Sequence, residues 1–369
     1  MIKPDCITEA HILKVSKKKN SNKDLTEKVI RALMLLESLV NSKLDFVFKG
    51  GTALMLLLGT TKRLSIDIDI IVPNKKVNIG EYLDTFIEER EFTRYEKIER
   101  NAETDIVKEH YKIYYQSPVT QKEEFILLDV LFEDIHYKNI IETPINSALL
   151  LIEGSPTLVR TPNLDNILGD KLTAFAPKTT GIPYIKNNNE MGMEIIKQMY
   201  DVACIFDHIE NINTVRKVFD NFCTIELKYR KNIHTKSDVL DDIFFHSLSI
   251  SRKEQVMDCQ WAILERGLRS IKNFIFSGSL NDIVAQQCAA KAAYLSMLLK
   301  HETHNPQKYD HKVDMTSWKI NQFPDERFKG NQTVNQLNKF NKLKKSNPEA
   351  FFYWYQIYKI VEAEVEQYP

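Results

Sequence analysis

Residues 46–73, FVFKGGTALMLLLGTTKRLSIDIDIIVP, constrain this chain more than any other stretch. An apolar strand over 46–48 runs into the pair Gly50-Gly51, and Thr52 opens a helix that continues through residues 53–58. A second strand is expected to begin near Arg63. Strand side chains alternate between faces, so Leu64, Ile66, Ile68 and Ile70 turn toward a core. Arg63, Ser65, Asp67 and Asp69 then share the opposite surface. Two neighbouring carboxylates repel one another, and a divalent cation is the usual remedy. The Gly-Gly-Thr turn places backbone N–H groups and a hydroxyl at the positive end of a helix, which suits a phosphate. It is not a Walker loop, because no GK[ST] closes it. A glycine turn followed by paired acids can hold phosphate and metal together, the metal bridging nucleotide phosphates and activating an attacking hydroxyl.

A third acid would complete such a site. Residues 124–134, EFILLDVLFED, form an apolar strand with Asp129 at its middle. An acid there is costly unless it meets a cation or a wet cleft. Asp129 shares a face with Leu127 and Leu131, so alternation does not say which face is wet, and a strand-end carboxylate is the plainer alternative. Ser65 can bind a phosphate oxygen or a metal-bound water, or simply satisfy backbone. Arg63 can neutralise a phosphate or pair with an acid. Lys171, in DKLTAF after Asp170, can reach a triphosphate, although the residues alone favour a surface position. Asp201, in MYDVAC, reads by itself as a charge on a helix face. The basic run KYRK at 228–231 is more simply a solvated turn than an RNA contact. Trp354 and the aromatics beside it are expected in a core.

Lys and Arg number 50 and Asp and Glu number 50, so any nucleic-acid surface must be local. Eleven glycines and twelve prolines are few for this length, which favours long helices over a loop-rich β fold. Five cysteines without a CxxC argue against a zinc or disulfide framework and fit a reducing cytoplasm. No apolar run approaches the ~18 residues of a membrane span. Helices are expected over 7–15, 24–40, 79–92, 164–176, 193–209, 213–221, 243–251, 253–274 and 281–300, with two more over 332–367. The loop at 177–189 is expected to be mobile. These patterns divide the chain into residues 1–145 and a helical domain of residues 146–369.

KGGTAL with RLSIDIDI, then VRTPNLDNILGDKLTAF with YDVACI, resembles the AbiEii/AbiGii toxin family of nucleotidyltransferases, the toxin halves of abortive-infection toxin–antitoxin systems. The resemblance covers residues from about 44 to 207. It implies an α+β fold: a polymerase-β-like nucleotidyltransferase core, a mixed sheet with flanking helices, joined to a C-terminal α-helical domain. Carried over by position, Gly51 and Thr52 contact the nucleotide phosphates, Asp67 and Asp69 bind Mg²⁺ or Mn²⁺ with Ser65 beside them, Lys171 contacts the triphosphate, and Asp201 is the late catalytic acid. From the reading of the residues, Gly50, Arg63 and Ser65 join the nucleotide-binding set and Asp129 is the candidate third metal ligand. The activity implied is transfer of a nucleotide from an NTP to RNA, with tRNA as acceptor, blocking translation. A cognate antitoxin is implied as partner, and no membrane. The alternatives are nucleotidylation of a protein and a non-catalytic nucleotide- or RNA-binding module. The chain departs from the family pattern after Lys-Leu-x-Ala, where Lys178 is the nearest basic residue, and before Asp201, where it has Lys197-Gln198.

Overall fold

Helices α1 (Glu9–Lys19) and α2 (Lys23–Asn41) provide the apolar surface against which a sheet is laid. Asn22 caps α2 by accepting the Leu25 N–H at 3.0 Å. Val29, Ile30, Leu33, Leu36 and Leu39 of α2 recur at helical spacing and are fully buried. The elements that follow are β1 (Val47–Lys49), α3 (Gly50–Leu57), β2 (Ile68–Ile71), α4 (Ile79–Asp84), β3 (Arg94–Ile98), β4 (Val107–Gln116) and β5 (Glu123–Phe132). The computed structural model describes residues 1–369 apart from 20, 60–61, 88–90, 99–106, 277–278, 322–333 and 368–369. It divides into two units, residues 1–167 with 273–278, and residues 168–272 with 279–369.

The sheet of the first unit is mixed, in the order β1-β2-β5-β4-β3. Only β2 and β5 run parallel. Tyr111, Ile113 and Tyr115 of β4 and Ile126, Leu128, Val130 and Phe132 of β5 are buried in the core with α2. The residues between them lie on the wetter face. Asp129 is on that face with Leu127 and Leu131, which resolves what alternation leaves open. A hairpin of β6 (Ile140–Pro144) and β7 (Leu158–Pro162) also belongs to this unit. The buried Glu37 carboxylate holds two distant segments, accepting the Ile2 N–H at 3.1 Å and the Thr157 hydroxyl at 2.9 Å.

Two expectations about secondary structure change here. The strand expected from Arg63 is paired in the sheet only over Ile68–Ile71. Upstream, the chain bonds instead to residues 274–276, with Leu64 N–H donating to the Phe274 carbonyl at 2.8 Å and an isolated bridge joining Arg63 to Ile275. The helix expected over 79–92 ends at Asp84, and residues 88–90 lie outside the described residues. The division after Ile167 falls inside α5 (Leu164–Ala174), so residues 146–167 group with the first unit.

The second unit is helical: α6 (Gly192–Phe206), α7 (Ile212–Tyr229), α8 (Lys236–Arg252), α9 (Trp261–Ser270), α10 (Asp282–Lys300), a 3-10 segment Val334–Lys342, α11 (Leu343–Ser346) and α12 (Pro348–Gln367). The single helix expected over 253–274 is broken, because Lys253 takes φ 57° and ends α8. Helices α6 and α9 cross backbone to backbone. A methyl on Gly192 would lie 2.2 Å from the Ile263 carbonyl oxygen, and one on Gly267 would lie 2.3 Å from that of Gly192. Trp354 is fully buried and stacks on Phe340 at 4.3 Å between centroids, a core residue as expected. Among the described residues no helix is long and apolar enough to cross a membrane.

The 177–189 loop, expected to be mobile, is instead fastened to α8. One Asp242 oxygen accepts the Lys178 N–H at 2.9 Å, the Thr179 N–H at 3.0 Å and the Thr179 hydroxyl at 2.9 Å. The other lies 2.8 Å from His246 Nδ1, and His246 Nε2 meets the Tyr184 hydroxyl. The hydroxyl also accepts the Gln260 N–H at 2.9 Å. Burial opposes charge on the His246 ring, but hydrogen bonds with Asp242 and Cys259 outweigh it, and its pKa is pushed up to about 10 from 6.5. Folded protein therefore keeps a proton that unfolded chain releases between those values. The stabilisation is complete below the unfolded pKa and is lost as pH rises through the folded one, at about 1.4 kcal/mol per pH unit. Chemical denaturation across this window should show a downward slope in wild type that His246→Gln largely removes; parallel slopes would refute the assignment.

Candidate active site

The glycine turn, the acid segment and the sheet register converge on the wetter face of the first unit. Lys49, Asp69, Asp129 and His110 are register neighbours on β1, β2, β5 and β4. Adjacent strands lie about 4.8 Å apart, so Asp69 and Asp129 crowd two negative charges together. His110 Nδ1 lies 2.7 Å from Asp129 Oδ1. This row fixes the direction of the acids through backbone pairing rather than through flexible side chains.

The turn at the start of α3 is built to fit this row. Gly50 has φ +83°, and a methyl there would lie 2.1 Å from Asp69 Oδ2. Any other residue would carry both backbone strain and a clash with the carboxylate. A methyl on Gly51 would lie 2.7 Å from Ser65 Oγ and 2.8 Å from Arg63 Nη2. Gly50, Gly51, Arg63, Ser65 and Asp69 are thus brought to one place. Arg63 is buried, and its Nη1 donates to the Leu64 carbonyl at 3.1 Å. The Thr52 hydroxyl is buried and donates to the Asp67 carbonyl at 2.7 Å, bracing the acid segment against α3. Its N–H lies in the first helical turn with those of Gly50 and Gly51. Gly50→Ala should therefore cut nucleotidyl transfer by about a hundredfold, the effect of moving a reacting group by an ångström. A comparison of kcat/KM with wild type checks it.

Lys171 and Asp201 form a second group, described within the helical unit. Lys171 Nζ lies 2.8 Å from Asp201 Oδ2 and donates to Gln198 Oε1 at 3.1 Å. Both Lys171 and Asp201 are buried, and α6 supplies Asp201 and Gln198 one helical turn apart. Neither is the surface charge that the residues alone suggest.

Among the described residues no three His, Cys, Asp or Glu side chains are grouped as a metal cage. Magnesium needs less, since it is held by one or two carboxylates together with substrate phosphates. Asp67 and Asp69, both partly exposed hard-oxygen donors beside a phosphate-suited turn, fit that requirement. Asp129 stands next in register. Three residues here escape a reading of the sequence: His110, Lys49 and Gln198. The first two are visible only once register is known, and Gln198 only once α5 and α6 are packed.

A glycine turn set against an acid-bearing strand of a mixed sheet is the arrangement of a nucleotidyltransferase core. The family comparison agrees. The family model described as "Nucleotidyl transferase AbiEii toxin, Type IV TA system" matches residues 33–258, and the chain belongs to that family. Among solved structures, the chain is similar to "Crystal structure of JHP933 from Helicobacter pylori" at 15% identity and TM-score 0.41, covering 76% of this chain and 94% of that one. It is similar also to "Crystal structure of putative nucleotidyltransferase from H. pylori" at 16% identity and TM-score 0.40, covering 75% and 94%. Likenesses this loose assign no residue a role. No curated protein matches the chain.

Proposed function

We propose that the chain transfers a nucleotide from a nucleoside triphosphate to an RNA acceptor, tRNA, and so blocks translation until a cognate antitoxin counters it. The observation that carries this is the packing of the Gly50–Gly51 turn directly against Asp69, Ser65 and Arg63. N–H groups suited to a phosphate, a guanidinium and a carboxylate suited to a metal lie together there. A bound Mg²⁺ or Mn²⁺, held by Asp67 and Asp69 with Asp129 beside them, would supply neutralisation of the triphosphate charge. The protein's own share is positional. The first turn of α3 and Arg63 bind phosphoryl oxygens, and Ser65 donates its hydroxyl to one of them. Thr52 fixes the height of Asp67 relative to the turn. His110 keeps Asp129 from swinging out of the row. Lys171 is given the triphosphate and Asp201 the late acidic role, each steadied by the other.

The test is incubation with labelled nucleoside triphosphates, Mg²⁺ and total RNA. Label is expected in the tRNA fraction. Label in protein instead would move the acceptor, and no label in either fraction, with wild type equal to an Asp69 variant, would end the proposal.

A further inference from the structure

In a chain with 50 basic and 50 acidic residues, a local excess of one sign carries information. One lies in the helical unit, outside the residues matched to the family. Residues 334–347, VNQLNKFNKLKKSN, contain Lys339, Lys342, Lys344 and Lys345 and no acid. Residues 315–320, MTSWKI, add Lys319, and Asp314 just before them accepts the Thr316 N–H at 2.9 Å. The two segments are fastened together. Asn341 accepts the Ile320 N–H at 2.9 Å and donates to the Ile320 carbonyl at 2.8 Å, while Lys344 Nζ donates to the Thr316 carbonyl at 3.1 Å. Glu349, the next acid along the chain, is held by Lys291 at 2.8 Å.

The spacing of the lysines is regular. Val334–Lys342 is a 3-10 helix, in which residues three apart eclipse. Leu337, Phe340 and Leu343 are buried on one side at this period. Lys339, Lys342 and Lys345 are exposed at the same period. With a rise of about 2 Å per residue, Lys339 and Lys342 stand ~6 Å apart, and Lys345 follows within α11. The adjoining segment presents Trp318, half-buried and stacked on Tyr355 at 4.4 Å between centroids.

We propose that this ridge is a rail for the phosphate backbone of RNA. Lys319, Lys342 and Lys345 neutralise phosphates as point charges. Trp318 offers an aromatic surface on which an unstacked base can lie. The ring beside the lysines favours a nucleic acid, whose bases stack, over an acidic protein. The proposal rests on the transferase reading only for the identity of RNA as acceptor.

The test is binding of labelled tRNA and of a single-stranded oligoribonucleotide to the full chain over a range of salt. Wild type is compared with Lys319→Gln/Lys342→Gln/Lys345→Gln, and circular dichroism checks the fold. All three lysines are exposed, and Lys344 is left in place because it holds the Thr316 carbonyl. Each lost phosphate contact lowers the slope of log K against log salt by about 0.7 on a single strand, so the variant should lose about 2 from the slope. Equal slopes and affinities overturn the proposal. So does stronger retention of poly-glutamate than of RNA by wild type, which would assign the ridge to an acidic protein. Label transfer on the same samples separates this inference from the transferase reading. A rise in KM for RNA with kcat unchanged supports both. Binding that follows the lysines without any transfer leaves the rail standing and removes the transferase.

Discussion

Asp69→Ala is expected to abolish nucleotidyl transfer, with a fall in kcat of about a thousandfold or more. If Asp69 holds the metal as proposed, its loss removes several kcal/mol of charge stabilisation, and each 1.4 kcal/mol is about a factor of ten. The companion measurement is thermal stability. Asp69 is partly exposed and neighbours Asp129 in register, so its removal relieves a repulsion that offsets the contacts it gives up. The variant should melt close to the wild-type temperature. Activity lost at unchanged or raised Tm marks a group kept for chemistry. A clear drop in Tm would mark Asp69 as structural and remove it from the site.

The largest effect on stability is expected at Lys171. Its ammonium and the Asp201 carboxylate form a buried pair at 2.8 Å. Breaking such a pair from one side leaves a buried charge without compensation and costs about 3–5 kcal/mol. Lys171→Met alone should therefore destabilise the protein by that amount in urea titration. Lys171→Met/Asp201→Leu should recover most of the loss, since an apolar replacement of both partners is close to neutral. Additive losses across the double-mutant cycle would show that the two do not depend on each other. The double variant is also the informative one for function. A folded, stable double variant that transfers nothing ties the pair to the reaction, whereas either single variant confounds chemistry with folding.

Much of the first unit was legible because its chemistry is local. The Gly50-Gly51 turn, the start of α3 and the alternation through Asp69 are written in consecutive residues. The core face of α2 follows from its helical period. What could not be read depends on partners distant in sequence. Residues 62–64 pair with residues 274–276 instead of extending β2, and nothing near Leu64 announces that. The wet face of β5 is decided by which side α2 covers, not by the strand's own pattern. His110 becomes part of the acid row only through the β4–β5 register. The 177–189 loop carries the glycine, proline and asparagine of a mobile segment, yet Asp242 and His246, far along the chain, hold it. Lys171 and Asp201 were placed by family resemblance; their pairing, and the help of Gln198, are matters of packing.

The crossing of α6 and α9 at Gly192 and Gly267 leaves no gap into which either helix can slip. A sliding helix would need side chains to act as spacers, and here peptide groups touch directly. Asp201 and Gln198 are therefore mounted on a helix that resists sliding along its neighbour, and a movement that displaced them would carry α6 and α9 together.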